Sequence, residues 1–358
     1  MSMTIPIGKK SVGDGCPIFI IAEAGVNNNS SFELAKKLVD TAKDAGADAI
    51  KFQTFKSENV TSKRTRIHEY AKKNMGKDES MIDMIKKLEL SYDLFIALKS
   101  YCDEKDIMFL SAPHSDDAID FLEPLMPAYK IASGDLVNIP LLEKIAKKNM
   151  PVILSTGMAT IEEVEEGITA IRKYGNMQII VLQCTTNYPA KLNETNLRAM
   201  QSMKNRFNVL VGYSDHTLGL EASKVAVELG AVVIEKHFTL DKSLPGPDHK
   251  ASMNPAELRE LVECIKSRRL DVDEKIREEI LGSCEKKPSE TELKNIPIVR
   301  KSLIAKKDIA KGSLITEDMI IVKRPGIGIK PRDYRKVIGM KARLDIGADD
   351  IISWSKLE

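Results

Sequence analysis

Residues 107–157 read IMFLSAPHSDDAIDFLEPLMPAYKIASGDLVNIPLLEKIAKKNMPVILSTG. Three short apolar runs stand out: IMFLSAP from Ile107, AYKIASGD from Ala128 and PVILSTG from Pro151. Between the second and third lies IPLLEKIAKKN, with apolar residues at helical spacing and an Asn where helices often stop. Strand, helix, strand in this order is the mark of a βα unit feeding a parallel sheet. The same rhythm extends outward in both directions. IFIIAEAG from Ile18 and ADAIKFQTF from Ala47 precede the stretch, and IIVLQCT from Ile179, VLVGYSDH from Val209 and VVIEKHF from Val232 follow it. Amphipathic segments FELAKKLVDTAKDAG, IEEVEEGITAIRKYG and LEASKVAVELG separate them. The eight runs predict an α/β fold, a TIM (β/α)8 barrel.

One interval breaks the pattern. Lys56 to Glu89 is charged, rich in Ser and Lys, and too long for an ordinary βα loop, so it is expected to cover a substrate. After Arg269 the polar stretch DVDEKIREEILGSCEKKPSETELKN reads as a helix and a linker. From Pro297 onward short strand-like pieces alternate with Gly-bearing turns (AKGSL, RPGIGI, VIGMK, IGADD). The predicted organisation is a barrel over 1–269, a linker over 270–296 and a small β-rich domain over 297–358.

Composition agrees with two unequal units. The 358 residues suffice for a barrel of ~250 residues and a small second module. Lys and Arg total 54 against 52 Asp and Glu, and this scattered charge of +2 argues against a nucleic-acid partner. The opening MSMTIPIGKKSVGDG lacks the layout of a signal peptide, and no later run is long enough to span a bilayer, so a cytoplasmic protein without a membrane partner is expected. Cys16, Cys102, Cys184, Cys264 and Cys284 are widely spaced and odd in number, which fits free thiols in a reducing compartment.

In such a barrel the chemistry gathers at the C-terminal strand ends. Polar residues collect there on every run: Glu23; Lys51 and Gln53; Ser111; Lys130, Ser133 and Asp135; Ser155 and Thr156; Thr185 to Tyr188; Ser214, Asp215 and His216; Glu235 and His237. His216 and His237 end adjacent strands, so their rings either converge on a divalent cation with open positions or are a hydrogen-bonding pair. Lys51 and Lys130, beside Ser133, Ser155 and Ser214, either form a phosphate site without a Gly-rich loop or simply reach water.

IIAEAGVN, IKFQTF, YKIASGD, ILSTGM, QCTTNYP, VGYSDHTLG and IEKHFTLDKSLPGPDHKASM together resemble the sialic acid synthase family, which includes N-acetylneuraminate and N,N'-diacetyllegionaminate synthases. The tail with IVKRPGIGI resembles the antifreeze-like SAF (β-clip) domain that follows the barrel in that family. The resemblance implies a C–C bond-forming transferase that condenses phosphoenolpyruvate with N-acetylmannosamine, or with its 2,4-diacetamido-2,4,6-trideoxy relative, and water to give a nine-carbon acidic sugar and phosphate. It also implies a divalent metal on His216 and His237, Mn²⁺ first with Mg²⁺ or Co²⁺ as substitutes. Lys51, Lys130, Ser133, Ser155, Thr186 and Ser214 would hold phosphoenolpyruvate. Gln53, Tyr188, Asp248 and Arg324 would hold the N-acetylated hexosamine, with Glu23 or Asp135 handling the water. Arg324 would come from the partner in a domain-swapped homodimer and contact the sugar's N-acetyl group.

Three departures from the family pattern stand out. Relatives usually carry Asn-His after the first strand where this chain has Asn27-Asn28. Many read STPF after the third, where Ser111-Ala112-Pro113-His114 loses a hydroxyl; His114 either compensates as a phosphate donor or fills the place of the phenylalanine. Thr186 stands where some members have Asn, and Asp135 where others have Glu. Two other readings compete: a Schiff-base aldolase using Lys130, and a sugar-binding protein without catalysis.

Overall fold

The computed structural model describes residues 2–66 and 80–358. An antiparallel hairpin, β1 (Thr4–Ile7) and β2 (Lys10–Gly13), precedes the first predicted strand. Its Ile5, Ile7 and Val12 join the main core, and Gly8 at its turn sits against Met108 and Pro127, near the starts of two barrel strands. The hairpin therefore packs at the N-terminal end of the barrel.

Eight strands follow: β3 (Phe19–Gly25), β4 (Ala49–Thr54), β5 (Met108–Pro113), β6 (Tyr129–Ile131), β7 (Val152–Ser155), β8 (Ile179–Cys184), β9 (Leu210–Asp215) and β10 (Val233–His237). Each falls within one of the predicted runs. Their parallel ladders follow the order β5-β4-β3-β10-β9-β8-β7-β6, so β10 closes on β3, and β5 and β6 are neighbours at the remaining seam. Buried on both faces, the strands read as apolar runs because helices cover one side and the barrel interior the other. At Gly212 a Cβ would lie 2.5 Å from the Val233 carbonyl oxygen, so only glycine admits the neighbouring strand there.

The outer helices are α1 (Phe32–Asp44), α2 (Ser57–Val60), α3 (Met81–Lys86), α4 (Tyr92–Glu104), α5 (Asp116–Leu122), α6 (Ile139–Ala146), α7 (Ile161–Arg172), α8 (Ala199–Phe207), α9 (Glu221–Glu228) and α10 (Pro255–Lys266). Capping boxes start α7 (Thr160 with Glu163) and α10 (Asn254 with Glu257), each satisfying otherwise orphaned backbone N–H groups. The short α2 and α3 belong to the long 56–89 interval; the expected cover falls partly on residues 67–79, outside the described residues. In its described part, Val60, Met81, Met84 and Ile85 bury themselves with Val26 and Phe55 in an apolar cluster.

The predicted linker is largely helical. α11 (Glu274–Leu281) and α12 (Glu290–Val299) flank residues 282–289, and α12 runs straight through the boundary expected at 296–297. Beyond it, β11 (Ser302–Ala305) and β12 (Ile320–Lys323) pair antiparallel beside α13 (Tyr334–Val337), around a separate core that includes Leu303, Ile315, Val337, Ile346 and Ile352.

The helix α12 seats this module on its own barrel. Glu292 Oε1 accepts from the backbone N–H groups of Met158 at 2.6 Å and Thr186 at 2.8 Å, in the loops after β7 and β8. Asn295 donates to the Thr186 carbonyl at 2.9 Å. Arg300 grips both Glu163 oxygens at 2.8 and 2.7 Å and the Met158 carbonyl at 2.6 Å. Among the described residues no helix is long and apolar enough to cross a membrane.

Candidate active site

The C-terminal strand ends open into a cavity. Every residue singled out above for catalysis, phosphoenolpyruvate, sugar or metal lines it: Glu23, Lys51, Gln53, Lys130, Ser133, Asp135, Ser155, Thr186, Tyr188, Ser214, His216, His237, Asp248 and Arg324. Strand periodicity explains the selection. Successive side chains alternate between the barrel interior and the helix layer, so Glu235 and His237 face the cavity while Lys236 between them does not. Lys236 instead pairs with Asp215 at 2.7 Å, and Ser223 of α9 donates to the same carboxylate oxygen. Asp215, named among the polar strand ends, thus belongs to the strand–helix packing.

Four buried charges make the cavity floor. Residues aligned by the parallel register meet there: Glu23 lies opposite Lys51, and Ser214 opposite Glu235. Lys51 Nζ is 2.7 Å from Glu23 Oε2 and 3.7 Å from Glu235 Oε2. Lys130 Nζ donates to Ser155 Oγ at 2.8 Å and lies 3.4 Å from Glu235 Oε1, which also accepts from Ser214 at 2.9 Å. Gln53 donates to Glu23 Oε1 at 3.3 Å. Burial raises the Glu23 carboxyl to about 7 against the pull of Lys51. At Glu235 burial also acts upward, but Lys130, Lys51 and the Ser214 hydroxyl outweigh it and hold the group at about 2. Burial lowers Lys130, whereas at Lys51 the two glutamates overcome burial and raise it. Two ammonium groups thus face one firmly ionised carboxylate, Glu235, and a second, Glu23, that exchanges its proton near neutrality, a balance that suits a phosphorylated anion.

The loops after β6 and β7 supply small groups beside this floor. Ser133 Oγ accepts from the Gly157 N–H at 2.9 Å, and a Cβ at Gly157 would stand 2.1 Å from Thr186 Oγ1. Glycine is therefore required for these loops to approach. Among the described residues the buried Thr186 Oγ1 has no hydrogen-bond partner.

The His216 and His237 rings lie 5.3 Å apart, with the Tyr188 ring 4.1 Å from the first and 5.4 Å from the second. His216 Nδ1 is 2.7 Å from the Thr185 carbonyl, which places a proton on Nδ1, so that in the neutral ring the lone pair is on Nε2. Among the described residues the buried His237 Nδ1 has no hydrogen-bond partner. Burial holds the His237 ring well below the usual imidazole range, so it keeps both lone pair and neutrality. At His216 burial is outweighed by Cys184, 3.7 Å from Nδ1, and the ring rises to about 8. Among the described residues no three or more His, Cys, Asp or Glu side chains cluster as a closed metal cage. Two nitrogens with the remaining positions open fit a catalytic divalent ion rather than a structural zinc.

Across the cavity, Asp135 is fully engaged. Its Oδ1 lies 2.6 Å from Lys301 Nζ and accepts from Asn138 at 3.1 Å, while Oδ2 is 3.2 Å from His114 Nδ1. Burial would raise this carboxyl, but Lys301 and His114 hold it far below the usual range. A carboxylate so pinned is a poor proton acceptor, which favours Glu23 of the two candidates for the water. Burial raises Asp248 to about 6. The Arg324 backbone is held beside the loop after β4: its N–H donates to the Val60 carbonyl and its carbonyl accepts from the Ser62 N–H, both at 2.9 Å.

Glu235 and Lys301 are the residues whose weight the sequence understated. Alternation along VVIEKHF puts Glu235 on the same face as His237, a signal that was there to use. Lys301 carried none, because only the docking of α12 brings it to Asp135. Of the departures, Asn28 is absorbed locally, accepting from the Ser30 N–H at 3.0 Å, and Ala112 lines the cavity with no polar group.

The chain is 42% identical over 356 residues to the N,N'-diacetyllegionaminic acid synthase of Legionella pneumophila, covering 98% of each. It is 46% identical over 336 residues to the synthase of the same name from Campylobacter jejuni, covering 93% of this chain and 98% of that one. The crystal structure of the spore coat polysaccharide biosynthesis protein SpsE of Bacillus subtilis superposes with a TM-score of 0.84 at 35% identity over 99% of both chains. The NeuB family model matches residues 38–276 and the SAF domain model residues 300–358. A barrel carrying this cavity and a C-terminal module over its mouth thus belongs to the NeuB family, and its C-terminal module is a SAF domain.

Proposed function

We propose that the chain condenses phosphoenolpyruvate with an open-chain 2,4-diacetamido-2,4,6-trideoxymannose and water, giving a nine-carbon acidic sugar and inorganic phosphate. The names of its relatives from L. pneumophila and C. jejuni support that product class. The observation that carries the reading is the two-sided cavity. Its ionic floor of Glu23, Lys51, Lys130 and Glu235 suits a charged enolpyruvate, while Val26, Phe55, Val60, Met81, Met84 and Ile85 form an apolar wall. A deoxy carbon and acetamido methyl groups can lie against such a wall; a hydroxyl there would be desolvated without a partner.

Lys51, Lys130, Ser133, Ser155, Thr186 and Ser214 bind phosphoenolpyruvate, and Gln53, Tyr188, Asp248 and Arg324 hold the sugar. His216 and His237 would hold a divalent ion, Mn²⁺ by preference, which when bound would polarise the sugar's aldehyde carbonyl. The methylene carbon of phosphoenolpyruvate forms the new bond to the aldehyde carbon, whose oxygen takes up a proton. Carbon 2 of the enolpyruvate becomes electron-poor and water adds to it, its proton passing to Glu23. A carboxyl near 7 is suited to that exchange at neutral pH. The tetrahedral carbon then expels phosphate and becomes the ketone. Tyr188, packed on both imidazoles, limits water at the aldehyde.

The test is phosphate release with each amino sugar. Release requires both substrates, is faster with the diacetamido sugar, stops with a chelator and returns with Mn²⁺. Release that is indifferent to chelation would refute the metal role, and borohydride trapping of pyruvate on Lys130 would favour a Schiff-base aldolase instead. We also propose a cytoplasmic enzyme, consistent with its free cysteines, and a homodimer that exchanges SAF domains. The contacts that seat α12 and Arg324 serve equally within one chain or between two. At sugar concentrations well below the KM of Arg324→Ala, mixing His216→Ala and Arg324→Ala chains restores phosphate release if the domains are exchanged and gives no more than the separate variants if closure stays within one chain.

A further inference from the structure

We infer that His114 reads an acetamido group of the sugar through its Nε2, and that Asp135 and Lys301 are positioning residues that make this possible. The inference rests on the amino-sugar synthase reading above and adds a specificity residue to it. His114 lines the same cavity as Glu23, Gln53, Tyr188 and Arg324. Its Nδ1 faces Asp135 Oδ2 at 3.2 Å. Lys301 Nζ, 2.6 Å from the other oxygen of Asp135, keeps that carboxylate charged. A charged carboxylate only accepts, so Nδ1 must carry the proton and Nε2 must carry the lone pair. Lys301 also donates to the His114 carbonyl at 2.7 Å, fixing the backbone under the ring. Burial lowers the imidazole to about 4, against the pull of Asp135, so at neutral pH the ring is uncharged and Nε2 is an acceptor.

Arg324 is near enough for its charge to act on the same ring. A guanidinium, which can only donate, lining the same cavity as an imidazole nitrogen that can only accept offers a pair complementary to a secondary amide. The amide carbonyl takes the donor and the amide N–H takes the acceptor. Phenylalanine in place of His114 would preserve bulk and the edge contact with Phe55, whose ring lies 6.3 Å away, but would leave the amide N–H unpaired. Lys301 and Arg324 both come from the C-terminal part of the chain, so seating the SAF domain supplies the donor and sets the acceptor in one event.

The experiment measures KM and kcat of the full-length chain by phosphate release, for both substrates, with the 2-acetamido and the 2,4-diacetamido sugars. His114→Phe should raise the KM for sugar roughly tenfold, the scale of one hydrogen bond, with the KM for phosphoenolpyruvate unchanged. His114→Gln, which offers a carbonyl oxygen near the Nε2 position, should recover most of the loss. Lys301→Met should reproduce the sugar-selective defect. An equal penalty with both sugars assigns the contact to the 2-acetamido group, and a penalty confined to the diacetamido sugar assigns it to the 4-acetamido group. An unchanged sugar KM in His114→Phe, or an equal rise for phosphoenolpyruvate, overturns the inference. Absence of phosphate release by the unaltered chain with either sugar would instead overturn the functional reading beneath it.

Discussion

The ion pair between Lys301 and Asp135 joins the C-terminal part of the chain to the barrel, and a double-mutant cycle measures what it contributes. Both side chains are 2% exposed or less, and their charged atoms are 2.6 Å apart. Lys301→Met strands the Asp135 carboxylate with only Asn138 and His114, and Asp135→Asn leaves a buried ammonium with only the His114 carbonyl. Breaking a buried pair on one side costs about 3–5 kcal/mol, because the remaining charge stays desolvated. Removing both charges leaves nothing stranded, so the double variant should lose less than the sum, with a coupling of about 2–3 kcal/mol. Asp135 is held below the usual carboxylate range, so its contribution is present above the unfolded value of 3.8 and is lost only as pH falls through the lower folded value. A cycle at pH 7 therefore reports the pair at full strength. The chain has one tryptophan, Trp354, located in the SAF domain, so its fluorescence during urea unfolding follows that domain while circular dichroism follows the helices of the barrel. The coupling should show in the fluorescence transition. Additivity within about 0.5 kcal/mol would refute the claim that this pair holds the domain to the barrel mouth.

Three further outcomes follow from the site. His216→Ala and His237→Ala should each lower phosphate release by at least roughly a hundredfold with an unchanged circular dichroism spectrum, and near-normal rates in both would remove the metal from the mechanism. Glu23→Gln should cut kcat by about 10²–10⁴ with a smaller change in either KM; an unaltered kcat would mean another group takes the proton of the water. Arg324→Ala should raise the KM for sugar more than that for phosphoenolpyruvate, and equal effects would disconnect Arg324 from the sugar.

The barrel was legible because its signal is local. IFIIAEAG, IKFQTF, VVIEKHF and their counterparts are short, apolar and spaced by amphipathic segments, and parallel strands covered on both sides must look like that. The polar strand ends were legible for the same reason, since an interior lined by Ile, Val and Leu makes Lys51, Lys130 and Glu235 conspicuous. What local pattern does not contain is pairing between groups distant in the chain. That Lys51 is shared by Glu23 and Glu235, that Asp215 serves Lys236 rather than a substrate, and that Asp135 is taken by Lys301 across 166 positions of sequence all depend on register, strand pleat and the docking of α12. The N-terminal hairpin escaped because four-residue strands carry too little periodicity to be seen. Residue chemistry and its spacing were enough for the barrel and for the stock of reactive groups at its mouth. Which of those groups are free to act was decided by tertiary structure, because a buried charge takes its protonation state and reactivity from the neighbours that folding brings within a few ångströms.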